Sequence, residues 1–562
     1  MDSREILTRF KDGTLERRHA LALLARAGDT PAVPPVPSAA VPSLVAVAPT
    51  VRPESLASAA APADSPSAGW CAVVGLQGCW PGADGPDAFW EAELRARGAA
   101  VRGSVPGGVD AVGPDPFGVD PGEAARMDFR ERLLLSGARQ VLEGAGYAGA
   151  RLDALTGPDG ERRSVGVFAA AGAARLSRIL DLRGPSQDID TGPSSFLTAL
   201  HLALGALRAG ECAAALVAAT EPGAGGTTAG GMPSGGTTAV LLKPLAAARA
   251  AGDVVHAVVP ASAVGHPGRG AHPALRDRLR RRALRAAGTP AAQVQVEEDG
   301  YGAGAGGAGQ PAATALTRAV LQLRHATLLP GPGRPRPAVW EAGRVPEGGT
   351  LPRTVLVGVH APDAQHAVVV LRERDPDSDQ DSSPVARAPG DDDGGPQLVL
   401  LSAATPGHLA ATAERLATWL TGRDRLTGPG VPALAAVARE LKLGRAALEC
   451  RLALVVYDTS QLATALAAFA ARGGPEDSPD DPPEGPPVHS ADLRDPPAEP
   501  LLLAGLPETR AYVDALWEGR RFEQLIRLWL AGVDVLGAAP AHLAGPVTEL
   551  PPSAVLPRGA QT

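Results

Sequence analysis

Aromatic residues are scarce, at 3% of the chain, so the interior has to be built from Ala, Val and Leu. Cysteine is scarcer still. Cys71, Cys79, Cys212 and Cys450 are scattered, with no CxxC pair and no histidine at metal-ligand spacing. That excludes a disulfide framework and a cysteine–histidine metal centre, and leaves reduced thiols as the expectation. No apolar run reaches membrane-spanning length without a charge or a Pro/Gly break. No long basic run is present either, and the net charge is −8, which argues against nucleic acid or an anionic membrane as partner. The first residues, MDSREILTRFKDG, carry charges where a signal peptide needs an apolar centre. The expectation is a soluble cytoplasmic protein with no metal and no resident cofactor.

What is present is enough for two or three folded domains: 562 residues, 44% hydrophobic and 20% charged. Glycine (67) and proline (55) concentrate in recognisable stretches that mark linkers. Residues 1–26 read as a helical docking element of two short helices around Asp12-Gly13, or as a frayed hairpin, and 27–68 as a linker too poor in apolar surface to order. A globular block occupies 69–373. It alternates buried strand patterns (71–76, 164–168, 213–219, 238–242, 293–296) with helical ones (123–145, 198–209, 272–287, 311–325). That alternation predicts an α/β layered fold around a buried sheet. Residues 374–396 read as an acidic linker, 397–472 as a small α/β domain, 473–500 as a Pro/Asp-rich loop, and 501–562 as two helices and a Pro-rich tail. No internal repeat is evident.

Several strings, in order, resemble the ketosynthase region of modular type I polyketide synthases. They are Cys71-Ala72-Val73-Val74-Gly75 with Pro81-Gly82-Ala83 and Phe89-Trp90; Phe117-Gly118-Val119 through Met127-Asp128 and Arg132-Leu133-Leu134-Leu135 to Glu143-Gly144-Ala145-Gly146-Tyr147; Leu182-Arg183-Gly184-Pro185-Ser186 leading into Asp190-Thr191; Ala199-Leu200-His201-Leu202-Ala203 with Gly210-Glu211-Cys212; and Leu321-Gln322-Leu323-Arg324-His325. The resemblance covers about residues 70–372. It implies a thiolase-like layered fold, here truncated. The unit at 397–472 looks like the linker domain that follows such ketosynthases, and Trp529-Leu530-Ala531-Gly532-Val533-Asp534 resembles the segment beyond it in synthases whose acyltransferase is a separate protein. The helical pair at 1–26 resembles their subunit-docking elements.

Ketosynthase chemistry, as the resemblance implies it, needs three side chains. A cysteine at a helix N-terminus takes an acyl chain from the phosphopantetheine arm of a carrier protein, its thiolate favoured by the helix dipole. Two histidines then assist decarboxylation of the extender and stabilise the enolate. All three positions differ here. Asp190-Thr191-Gly192-Pro193-Ser194-Ser195 places Pro193 where the thiol belongs. Proline is tolerated in a first helical turn, so the fold survives while the nucleophile does not. Asp299, in Val296-Glu297-Glu298-Asp299-Gly300, replaces the first histidine, and counting back from His325 puts Gly306 at the second. The connections near 168–175 and 222–236 are short as well.

The remaining candidates each have a plain reading beside the functional one. Ser194 and Ser195 are either acyl acceptors or helix-start caps. Asp299 with Glu297 and Glu298 is either a carboxylate acid/base site or a polar loop at a strand end. Cys212 reads as a small buried hydrophobe, Cys79 as a loop thiol, and His360 and His366 as core or surface histidines. The glycine run at 300–309 lacks nucleotide-binding spacing. Two functions compete. One is a degenerate, non-elongating ketosynthase-like protein that binds acyl carrier protein or pairs with synthase subunits, as homodimer or as heterodimer with a ketosynthase. The other is a repurposed enzyme that cyclises or transfers carrier-bound chains through Asp299 or Ser194.

Overall fold

Short apolar runs closed by glycine, proline or a charge become the strands. β1 (Cys71–Trp80, CAVVGLQGCW) is buried at nearly every position because both its faces are covered, which is why it reads as a continuous apolar run rather than an alternation. The computed structural model describes residues 67, 69–95, 119, 123, 126–220, 236–269, 273–300, 311–331, 334–344, 350–360, 364–374, 395–422, 431–472, 486–494, 507–536 and 546–555, together with Asp12. The docking pair at 1–26 apart from Asp12, the linker at 27–66, residues 375–394 and the stretch 301–310 with Gly306 lie outside the described residues.

The other strands of the main sheet are β2 (Ala83–Asp84), β3 (Val165–Ala169), β4 (Ser186–Asp188), β5 (Ala214–Thr220), β6 (Thr237–Pro244), β7 (Ala257–Gly265), β8 (Val296–Gly300), β9 (Thr354–Val359) and β10 (His366–Arg372). Its longer helices are α1 (Pro86–Arg95), α2 (Phe129–Gly144), α3 (Ser195–Ala209), α4 (Pro273–Ala286) and α5 (Ala312–His325). The order is β4-β3-β5-β6-β1-β7-β10-β9-β8, with β2 folded back on β1.

The sheet is one pattern used twice. β3 and β5 run parallel, then β6 and β1 follow antiparallel. β8 and β9 likewise run parallel, then β10 and β7 follow antiparallel. The halves join where Cys71–Val73 pairs with Ala257–Val259. This duplication lies in the hydrogen-bond pattern of the backbone, not in residue identities, so no repeat shows in the sequence. The halves differ at their edges. β4 flanks β3, but among the described residues no strand flanks β8. Residues 170–194 separate β3 from α3 and hold β4; only residues 301–311 separate β8 from α5.

Helices cover both faces. α3 and α5 share a core with Val217, Val240, Val259, Val357 and Val369. On the opposite face α2 packs on Val167, Leu216 and Leu241, and α4 on Ala261, Leu356, Val368 and Val370. α2 starts with a capping box: Asp128 accepts the Glu131 N–H at 2.8 Å and the Glu131 carboxylate accepts the Asp128 N–H at 3.0 Å.

The second α/β body has a three-stranded antiparallel sheet, β11 (Gln397–Ala403), β12 (Cys450–Val456) and β13 (Val488–Asp492). α6 (Pro406–Gly422), α7 (Leu434–Gly444) and α8 (Thr459–Ala471) fill one face. α9 (Pro507–Glu518) and α10 (Phe522–Leu530) fill the other. β13 lies inside the stretch 473–500 that reads as a loop. It is an edge strand held by backbone pairing to Cys450–Leu454, with little apolar surface to announce it. The Pro-rich tail also has a place. Residues 546–555 lie along the seam between the two bodies, with Val547, Leu550 and Ala554 buried.

That seam is ionic. Arg151 meets Glu440 at 2.6 Å and Arg445 meets Glu143 at 2.6 Å. The tail closes both pairs, the Thr548 N–H donating to Glu440 at 3.2 Å and the Ser553 N–H to Glu143 at 2.8 Å. Gly146 has φ +77°, and a Cβ there would run into the Glu440 carboxylate, so only glycine fits. Burial by itself would push the Glu143 carboxyl up, but Arg445, Arg139 and the Ser553 N–H outweigh it and hold it down at about 2. A carboxylate held low stabilises the fold above its unfolded value, near 4.3, and loses that contribution as pH falls toward the folded value. We expect about 3 kcal/mol to be lost between roughly pH 5 and pH 2, and Glu143→Gln to flatten that part of the stability curve. Urea titrations of both proteins across this range check it; parallel curves would refute the assignment.

Candidate functional site

The turn that carries Pro193 is built by its own hydroxyls. β4 ends at Asp188, and Gly192–Ser194 form one 3₁₀ turn that runs directly into α3. Gly192 adopts φ +66°, with open space where a Cβ would stand, so its role is conformational. The Asp190 carboxylate accepts the Gly192 N–H at 3.1 Å. Ser195 Oγ accepts the Thr191 N–H at 2.9 Å and donates to the Gly192 carbonyl at 2.7 Å. Pro193 sits at the start of the 3₁₀ turn, half-buried, where its missing N–H breaks no bond.

Ser194 is 0% exposed. Its Oγ lies 3.0 Å from Thr191 Oγ1 and donates to the Thr191 carbonyl at 3.1 Å. It therefore makes no helix cap, because the 3₁₀ turn places the Thr191 carbonyl within reach first. Thr191 Oγ1 also bonds Thr198 Oγ1 at 3.1 Å, and Thr198 accepts from Gln365 Nε2 at 3.0 Å. The network is thus three hydroxyls and an amide. Among the described residues it includes no carboxylate and no imidazole to take a proton from Ser194. The sequence reading missed Gln365; its only signal is a lone amide beside His366 at the entry to β10.

The three carboxylates of β8 do not gather into one site. The strand alternates, and pairing with β9 extends it through Asp299 to Gly300, where a loop was expected. Glu298 turns toward α5, 2.7 Å from Gln322 Nε2 and 3.2 Å from Arg318 Nε. Asp299 turns toward α4 on the other face and is 40% exposed, with Arg276 at 2.8 and 3.1 Å. Glu297 pairs with Arg280 at 2.9 Å. Asp299 thus lies in the layer opposite α3, and the structure does not bring it to Ser194.

His360 and His366 meet edge to face at 5.2 Å, at the end of the β9–β10 hairpin where the chain crosses from one strand to the other. Burial, then Arg276 and His366, push His360 down to about 4, so it is neutral at physiological pH. Among the described residues no group of three or more His, Cys, Asp or Glu could hold a metal ion. The thiols are equally quiet. Burial pushes Cys71 and Cys212 up to about 11, and Cys79 and Cys450 up to about 12. None is a thiolate nucleophile near neutral pH. No helix among the described residues is long and apolar enough to cross a membrane.

Two family descriptions match the chain. Residues 92–174 and 156–265 match the N-terminal domain of β-ketoacyl synthase, and residues 400–473 match the RhiE-like linker domain between ketosynthase and malonyl acyltransferase. Polyketide synthase ThaG of Burkholderia thailandensis is 30% identical over 77% of this chain and 10% of its own length. PksN of Bacillus subtilis is 26% identical over 83% of this chain and 10% of its own. The chain therefore spans about a tenth of these curated relatives. Among solved structures, the ketosynthase from module 6 of the bacillaene synthase of Bacillus subtilis superimposes with TM-score 0.66 at 22% identity, over 86% of this chain and 98% of that one. The oxazolomycin ketosynthase domain OzmH KS7 of Streptomyces albus gives TM-score 0.63 at 24% identity, over 87% and 99%. The thiolase-like fold is shared.

Proposed function

For a chain that is a ketosynthase-like member of polyketide synthase assembly lines, followed by its linker domain, we propose a non-elongating role: it binds acyl carrier protein or pairs with other synthase subunits, and forms no carbon–carbon bond. The observation that supports this is the turn at Pro193. The scaffold that would aim a nucleophile is intact, down to the 3₁₀ turn and the hydroxyl staple, but the aimed residue has neither thiol nor N–H. A condensing site also needs a base and an enolate-stabilising donor beside the nucleophile. The carboxylate at the first histidine's position, Asp299, is held by Arg276 on the other face of the sheet. A repurposed enzyme working through Asp299 or Ser194 would need that carboxylate released, or that hydroxyl uncovered.

The test is to incubate the chain with acyl-loaded carrier protein and weigh the intact protein. The wild type is expected to show no acyl adduct and no extended product when malonyl-loaded carrier is added, while carrier protein or a synthase subunit co-elutes with it. Pro193→Cys is expected to gain the acyl mass and still fail to condense, because a thiol alone supplies no proton transfer. An adduct on the wild type, or turnover abolished by Asp299→Asn, would establish the repurposed enzyme instead.

A further inference from the structure

α4 divides cleanly. Leu275, Leu279, Ala283 and Leu284 pack inward on the sheet. Arg278, Arg281, Arg282 and Arg285 stand exposed on the outer side, spaced i, i+3, i+4 and i+7. That spacing is one helical face about 10 Å long. None of the four makes a hydrogen bond or ion pair among the described residues, whereas their neighbours Arg276 and Arg280 are held by Asp299 and Glu297. The helix has a single acid, Asp277. Like charges at these spacings destabilise a helix, and only Arg285 sits in the last turn, where the helix dipole favours a cation. Three arginines thus raise the cost of their own helix in a chain whose net charge is −8.

We infer that the outer face of α4 is a docking surface for an acidic helix of a partner protein. Arginine forks pair with carboxylates two bonds at a time, and four on one helical face match carboxylates repeating at the same spacing on a second helix. The stripe is two turns long and carries no aromatic side chain to stack on a base or enter a bilayer; a long polyanion or a membrane would extend past it onto a negatively charged molecule. α4 lies on the face of the sheet opposite the Pro193 turn, so the surface stands or falls independently of the non-elongating reading.

The experiment titrates the full chain with a fluorescein-labelled synthetic 20-residue helical peptide bearing glutamates at i, i+3, i+4 and i+7. Saturable binding is expected that weakens at least tenfold in R278A/R281A/R282A/R285A and with rising salt, while the four-lysine variant keeps part of the affinity. Alanine preserves helix propensity, and circular dichroism confirms that the variant is folded. Equal affinity for wild type and alanine variant overturns the proposal. So does tighter binding, through the same arginines, of a DNA duplex or of phosphatidylserine vesicles. A third overturning result is peptide binding that appears only after the aspartates within residues 375–393 are changed to asparagine, which would make this chain's own acidic stretch the occupant.

Discussion

Arg151→Leu is expected to destabilise the chain by about 3–5 kcal/mol, the effect of leaving one member of a buried ion pair uncompensated. Arg151 and Glu440 are both almost fully buried at the seam between the two α/β bodies, 2.6 Å apart. Removing the guanidinium strands a carboxylate that, among the described residues, keeps only the Thr548 N–H. The double variant Arg151→Leu/Glu440→Leu is expected to recover most of the loss. Arg151 is poorly satisfied itself, with Nε and one terminal nitrogen buried and unpartnered, so apolar replacement of both residues removes an unfavourable desolvation together with the attraction. What remains is the orphaned Thr548 N–H, about 1 kcal/mol. Chemical denaturation of the four proteins of the cycle gives the coupling energy directly. Additive single-variant losses would show that the pair does not hold the seam.

Trp529→Ala is expected to cost about 3–5 kcal/mol as well, by cavity formation, but with a local signature. Trp529 is 0% exposed in the core that α9 and α10 make with Leu398, Leu400 and Ala453. Its indole N–H donates to the Leu452 carbonyl at 3.2 Å, and the Arg451 guanidinium lies over the ring at 4.1 Å. Arg451 in turn donates to the Trp529 and Val533 carbonyls at 2.7 and 2.9 Å. One side chain therefore ties α10 to the middle strand of the small sheet. Hydrogen exchange should rise across residues 507–536 before the main sheet opens. Uniform acceleration over the whole chain would contradict a local anchor.

Both effects concern the small domain and its seam. The ketosynthase-like body was legible because its strings are local: Met127-Asp128 ahead of a helical pattern, Asp190-Thr191 ahead of Pro193, and apolar runs for buried strands. The small domain was legible as strand and helix alternation for the same reason. β13 escaped because an edge strand draws its energy from backbone pairing, which leaves no apolar signature. The tail escaped because its buried residues, Val547, Leu550 and Ala554, are dispersed among prolines and gain their contacts from surfaces about a hundred residues or more away in the chain.

At the candidate site the sequence alone determined which side chains are on offer. A proline can be neither thiol nor N–H donor whatever surrounds it, so what Pro193 itself lacks followed from covalent chemistry. Which residues face which was decided only by the tertiary structure. The alternation of β8, fixed by its pairing with β9, sends Glu298 to one face and Asp299 to the other, and the 3₁₀ turn before α3 buries Ser194 among hydroxyls. Side-chain direction in a strand reverses with every residue, so a carboxylate's place depends on a register that only the partner strand sets.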